Sequence, residues 1–264
     1  MWQPSRLGGV YTAMIRRIPW TNQILLALGL LCPALFAQSV SEQYLLAAAN
    51  QDRAAHGLQR VRLDEHLSLA ARLHAYQMAD HRTISHQFDG EKDLAARAGE
   101  AGAHFSLVTE NVAEASNSAQ IHDMWMASEG HRANLLDPKV DSVGIAVVQK
   151  GRQLYAVEDF ARTVAQLSID QQEAMVGDML AAAGLRLEGN KADARQTCTM
   201  SSGFVGSRQP GFVMRFSATS LDRLPDQLTS RVGSGQYHVA EVGACVTGKQ
   251  GPFSGYNIAV MLFP

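Results

Sequence analysis

Three short segments carry side chains suited to proton transfer or metal ligation. "ISHQFDG" supplies His86. "VTENVAEAS" supplies Glu110 and Asn111. "WMASEGHRANLLDP" supplies Trp125, Glu129, His131 and Asn134. Two imidazoles near carboxylates have three chemical uses. They can hold a divalent metal such as Zn2+, with His86 and His131 as ligands and the acids orienting the rings or a bound water. They can work as a general acid–base pair. They can form a polar pocket that binds a ligand or braces the fold. Singly, each residue has an ordinary explanation: a loop histidine with one surface hydrogen bond, an acid accepting from backbone amides at a helix start, a histidine near a helix C-terminus. No G-x-S-x-G elbow and no H-E-x-x-H helix occurs in the chain, so any hydrolysis would have to be water-mediated. His56, His66, His74, His81, His104, His122 and His238 have no matching partner signal in the sequence.

The elements that must position these groups follow from periodicity and caps. "SVSEQYLLAAANQDRAAHG" reads as a helix, with Ser39 and Glu42 at capping-box spacing and Gly57 as its stop. "DEHLSLAARLHAYQMADHR" reads as a second, with Asp64 as N-cap and Leu67, Ala70, Ala71, His74 and Met78 on one face. Residues 84–109 are polar and glycine-bearing, with one or two helical turns expected in "DLAARAGEAG". "AQIHDMWMAS" reads as a third helix, with Ile121, Met124 and Trp125 on one side; Gly130 then lets the chain turn. "SVGIAVVQ" and "QLYAVEDFAR" read as a hairpin turning at Lys150 and Gly151. Helices followed by an antiparallel hairpin indicate α+β. Composition shifts near Ala161. Ser168 is a candidate N-cap for a further amphipathic helix. Beyond it, "GFVMRFSA", "YHVAEVGACV" and "YNIAVMLF" look like strands and "SLDRLPDQLTSRV" is partly helical. Residues 168–264 therefore read as a second small α/β domain of unknown function. No internal repeat is visible in the sequence.

The N-terminus reads as an export signal. Arg16 and Arg17 precede the apolar run "ILLALGLLCPALFA", with small Ala37 as the cut and Gln38 as the first mature residue. The run is short and Pro-interrupted for a membrane span of about 20 residues, so no stable span is expected once it is cleaved. Cys198 and Cys245 then remain. In an oxidising compartment they favour a disulfide, worth roughly 4 kcal/mol by chain entropy; two buried thiols are the alternative. The 264-residue chain has a net charge of −2, which gives no support for nucleic-acid binding.

The set of segments is more informative than its members. In order and spacing it resembles the CAP superfamily (cysteine-rich secretory proteins, antigen 5 and plant pathogenesis-related proteins), its bacterial SCP-like extracellular branch above all. The matching segments are "SH" at 85–86, "TENVA" at 109–113, "WMASEGHRANLL" at 125–136, "VGIAV" at 143–147 and "YAVEDF" at 155–160. The resemblance implies a three-layer α-β-α sandwich over residues 38–162 and does not extend to 168–264. It also implies a cleft with two histidines and two acids, onto which His86, Glu110 and His131 map. The family's second acid commonly stands three residues after the tryptophan, where this chain has Ser128. Glu129 is the candidate substitute, although one residue on a helix turns a side chain by about 100°. Thr109 replaces a usual glycine, and Glu158 stands where glutamine is common. Arg132 and Asn134 are expected to brace the loop. The resemblance implies a secreted or periplasmic, non-enzymatic binding or interaction module for a lipid or cell-envelope component. The alternative is a metal-assisted hydrolase acting on peptide or cell-wall material.

Overall fold

The computed structural model describes residues 38–188, 191–246 and 253–264. The expected export signal lies outside the described residues. The first sheet contains β1 (Arg62–Leu63), β2 (Phe105–Ala115), β3 (Ser142–Lys150) and β4 (Gln153–Thr163) in the order β1-β3-β4-β2. β1 runs parallel to β3, and the other pairs are antiparallel. β2 is thus an edge strand. The β3–β4 hairpin turns at Gly151, whose φ of 65° suits a residue without Cβ.

Helices cover both faces of this sheet. On one lie α1 (Val40–Ala55), α4 (Ser118–Ala127) and α5 (Glu129–Leu135), whose Leu45, Ile121, Trp125 and Leu135 pack on Val143, Ile145 and Phe160. On the other lie α2 (Glu65–His81) and α3 (Leu94–Glu100), whose Ala71, Ala75 and Met78 meet Val112, Ala146 and Val157, while Leu67 and Ala98 meet Phe105. Strand alternation sends Ile145 to one face and Ala146 to the other. This is the three-layer α-β-α arrangement.

The caps sit where the sequence places them. Ser39 and Glu42 form a reciprocal capping box, and Asp64 accepts from the Leu67 amide. Glu42 is buried, and its second oxygen accepts from the Val147 amide at 3.1 Å and from Arg72 at 3.3 Å. Arg53 is fully buried on α1. It donates to the carbonyls of Gln59, Leu135, Asp137 and Val140, fixing the segment between α5 and β3. Two local expectations differ from the structure. Met124 is exposed, because Ile121 and Trp125, four apart, already fill the core-facing side of α4. Gly130 lies inside α5; the chain breaks at Ser128, whose extended backbone ends α4 and starts α5.

The C-terminal part forms a second sheet. Its elements are α6 (Ile169–Ala182), β5 (Arg186–Leu187), α7 (Lys191–Thr199), β6 (Phe212–Ala218), α8 (Asp226–Val232), β7 (Val239–Cys245) and β8 (Tyr256–Phe263), with strand order β5-β7-β8-β6. Here too the first strand is parallel to the third and the rest are antiparallel. The two sheets share one topology, with α6, α7 and α8 standing for α1, α2 and α4. The helix–sheet contact repeats in detail. A Cβ on Gly144 of β3 would lie 2.2 Å from the Leu67 carbonyl carbon of α2, and one on Gly243 of β7 would lie 2.1 Å from that of Ala194 of α7. A buried acid of the first helix recurs as well: Glu173 of α6 accepts from Arg195 of α7 and the Ala244 amide of β7, as Glu42 does from Arg72 and Val147. The repetition escapes the sequence because the two halves keep the burial pattern and these contacts but few of the same residues. Cys198 and Cys245 are disulfide-bonded, tying the end of α7 to the end of β7.

Gly144→Ala and Gly243→Ala each force a helix off its sheet. Each is expected to cost about 1–3 kcal/mol by overpacking, read as a lowered melting temperature. Gly130→Ala, with nothing within 4 Å of the added carbon, is expected to stabilise by up to about 1 kcal/mol through helix propensity.

Candidate functional site

The site forms around the edge strand β2. Consecutive side chains on a strand point to opposite faces, so Glu110 and Asn111 serve different layers. Glu110 faces the α2–α3 side. One of its oxygens meets His86 Nδ1 at 2.9 Å, and the other accepts from Arg97 of α3. Asn111 faces the α4–α5 side. Its amide donates to the His131 carbonyl at 3.0 Å, and its own oxygen accepts from Asn134 at 3.0 Å. Asn134 also donates to the Glu110 carbonyl, at 3.2 Å. Arg132 donates to the Met126 carbonyl at 2.7 Å, closing α5 onto the end of α4. Arg132 and Asn134 thus brace the segment as expected.

A buried ionic layer lies beneath His86. His74 is fully buried on α2. Its Nδ1 meets Glu91 at 2.8 Å, its Nε2 meets the Ser85 carbonyl at 2.7 Å, and Nε2 lies 3.9 Å from Glu110. Arg97 reaches the His86 carbonyl at 3.0 Å and lies 3.7 Å from Glu91. Asp159 of β4 is the register partner of Glu110 and has no exposed surface. On the other face Glu158, the partner of Asn111, is equally buried. Among the described residues no N–H donor reaches either carboxyl, and that of Asp159 lies within hydrogen-bonding reach of the Glu110 carboxyl.

The electrostatics separate the two imidazoles. The hydrogen bond to Glu110, aided by its charge, raises the His86 pKa above the ordinary value against partial burial and Arg97. Burial lowers that of His131, and the nearby charge of His86 lowers it further. The pair therefore presents one ring inclined to be cationic and one inclined to be neutral, a polarity that suits acid–base work or anion recognition. Burial pushes Glu158 well up, and burial together with the charge of Glu110 does the same to Asp159.

The structure brings His86 onto Glu110 and sets His131 within range of the charge on His86. Glu129 is exposed in the first turn of α5, beside a hollow bordered by Arg132, Ala133, Leu136, Asp137 and Pro138, and makes no ion pair among the described residues. Sequence reasoning singled out Asn111 but missed His74, Glu91, Arg97 and Asp159 as parts of the network. For His74 a signal existed: it falls on the buried face of α2, where an imidazole needs partners. It also missed His122, which meets Asp52 at 2.7 Å between α4 and α1. Among the described residues no group of three or more His, Cys, Asp or Glu is placed to hold a metal ion.

The second sheet differs at the position of Glu110. Gly243 aligns with Ala259 and Arg215 as Gly144 aligns with Asp159 and Glu110. The cleft acid is thus replaced by Arg215, which donates to the Thr197 carbonyl at 2.7 Å and to that of Gly203.

Residues 46–161 match the model of the CAP, or cysteine-rich secretory protein, family. The chain is 30% identical over 121 residues to the uncharacterized protein YkwD of Bacillus subtilis, covering 43% of this chain and 44% of that one. It thus spans less than half the length of that relative. A crystallised extracellular protein of Bacillus anthracis containing an SCP domain is 27% identical, with a TM-score of 0.44, over 47% of this chain and 40% of that chain. A cysteine-rich secretory protein of Staphylococcus aureus is 22% identical, with a TM-score of 0.39, over 47% and 39%.

Two substitutions test the electrostatics. Glu110→Gln removes the partner that raises His86, so the His86 imidazole is expected to titrate at lower pH in an NMR titration. The sign for stability follows. The raised His86 favours the folded state most below its unfolded value near 6.5, and that contribution fades as pH rises through the folded value. Glu158 is the opposite case. Its raised pKa means that ionisation opposes folding increasingly above its ordinary value of 4.5. Glu158→Gln is therefore expected to raise the melting temperature at pH 7, by about 4 °C or more, and to have little effect at pH 4. An equal effect at both pH values would remove burial of the charge as the cause.

Proposed function

Taking as premise that residues 46–161 belong to the CAP superfamily, we propose that this chain is an exported binding module that engages an anionic lipid or cell-envelope component without turning it over. Its cleft is formed by His86, Glu110 and His131. The observation that carries this reading is the commitment of Glu110: one oxygen is on His86 and the other on Arg97. A carboxylate held on both sides is unavailable as a general base. It also keeps His86 Nδ1 occupied and the ring inclined to its cationic form, which attracts an anionic group.

Zinc suits the residues poorly because too few ligands converge among the described residues. Two imidazoles remain as ligands, and a tetrahedral catalytic site takes three protein ligands. The Cys198–Cys245 disulfide supports export to an oxidising compartment, secreted or periplasmic. Among the described residues no helix is long and apolar enough to cross a membrane.

The test compares the wild type with the His86→Ala, His131→Ala double variant. Titration calorimetry uses vesicles of phosphatidylglycerol, vesicles of phosphatidylcholine, and Zn2+. The expected outcome is binding to the anionic vesicles that weakens about tenfold, some 1.4 kcal/mol, in the double variant, with no zinc heat in either protein. Zinc binding lost in the double variant, together with peptidoglycan or peptide turnover lost with it, would establish the hydrolase instead.

A further inference from the structure

Three carboxyls share the layer beneath His86, and one of them is bonded unlike the others. Glu91 meets His74 at 2.8 Å and accepts from the Phe88 amide at 3.0 Å. Glu110 has His86 on one oxygen and Arg97 on the other. Asp159 has no exposed surface, and among the described residues no N–H donor reaches either of its oxygens. Its surroundings account for this. On β3 it stands opposite Gly144, which has no side chain to offer. On β2 it stands opposite Glu110, whose carboxyl is within hydrogen-bonding reach. The donors of the helical layer are turned elsewhere. His74 of α2 spends its nitrogens on Glu91 and the Ser85 carbonyl. Arg97 of α3 turns Nη2 to Glu110 and Nη1 to the carbonyls of His86 and Lys92, while its Nε meets no acceptor. His86 gives Nδ1 to Glu110.

Two ionised carboxyls in contact have no hydrogen between them, and their charges repel. One proton turns the contact into a bond, because a neutral carboxyl donates and each carboxylate oxygen has a second lone pair to accept with. Arg97 and His86 favour the charge on Glu110, so the proton belongs on Asp159. Burial and the charge of Glu110 push the Asp159 pKa well up, against Arg97. We propose that Asp159 is a positioning residue for the cleft: as a neutral acid it donates to Glu110, holds that carboxylate against His86, and keeps a third negative charge out of the layer. The consequence for selectivity rests on the reading of the cleft as an anion site. An ionised Asp159 would place a further negative charge behind Glu110 and oppose an incoming anion. The neutral acid supplies a donor without that charge. The second sheet loses both members together, with Arg215 at the position of Glu110 and Ala259 at that of Asp159.

The experiment uses the full chain. NMR titrations follow the His86 imidazole and the side-chain carboxyl carbon of Asp159, the latter assigned by its loss in Asp159→Asn. Vesicles of phosphatidylglycerol are the binding probe. In the wild type the Asp159 carbon is expected to keep its protonated position at pH 7, where an ordinary aspartate is ionised. Asp159→Asn keeps a neutral donor, so the His86 midpoint is expected to stay where it is in the wild type. Asp159→Ala removes the donor and is expected to weaken vesicle binding about tenfold, a loss that asparagine restores. An Asp159 carbon that titrates in the ordinary range would overturn the proposal. So would a His86 midpoint lowered by about one unit in Asp159→Asn, the mark of a negative charge removed, or vesicle binding about tenfold tighter in that variant. The two NMR readouts decide the matter even if Asp159→Ala fails to fold. A wild type that ignores the vesicles, with its Asp159 carbon protonated and its His86 midpoint unmoved by Asp159→Asn, would overturn the anion-binding reading of the cleft and leave the proton on Asp159.

Discussion

Two consecutive side chains, Glu110 and Asn111, hold the site together, and they can do so because their strand lies at the edge of the sheet. Alternation sends the carboxylate to one helical layer and the amide to the other. The carboxylate fixes α3 through Arg97 and the loop after α2 through His86. The amide fixes the start of α5 at the His131 carbonyl. In a central strand both side chains would be walled in by neighbours. At the edge, the two layers meet around β2, with the His86 ring on its carboxylate and the His131 backbone on its amide.

Much of the frame was legible in the sequence, because it depends on neighbours close along the chain. Ser39 with Glu42, Asp64 with Leu67, Ser168 with Gln171 and the turn at Gly151 are decided within a few residues. The strands at β6, β7 and β8 show as apolar runs. β2 does not, because "FSLVTENVAEA" spends its polar positions on partners from distant elements, and the alternation only makes sense once Glu110 is known to be paired inside. α7 is hidden for a related reason. "KADARQTCT" has few apolar residues, and it is held by the close approach at Gly243 and by the disulfide. The site was legible as a set of residue types in order, through the family pattern. Its buried ionic layer was not, since His74, Glu91 and Arg97 reveal their roles only by meeting Glu110.

The second sheet shows how much of a fold survives a change of chemistry. Strand order, the glycine under the second helix and the acid on the first helix all recur. At the register position of Glu110 stands Arg215, and at that of Asp159 stands Ala259. The arginine is satisfied by carbonyls of its own chain. The two halves of one architecture therefore carry opposite charges at the same register position.

Arg53 carries a consequence for the placement of the site. Its guanidinium grips the Leu135 carbonyl across 82 residues of sequence and that of Val140 across 87. The far end of the helix bearing His131 is therefore moored to the first helix of the domain. Each such contact closes a long loop, whose entropy the folded domain must overcome. A helix that contributes no side chain to the hollow thus helps to set where the helix bearing His131 ends.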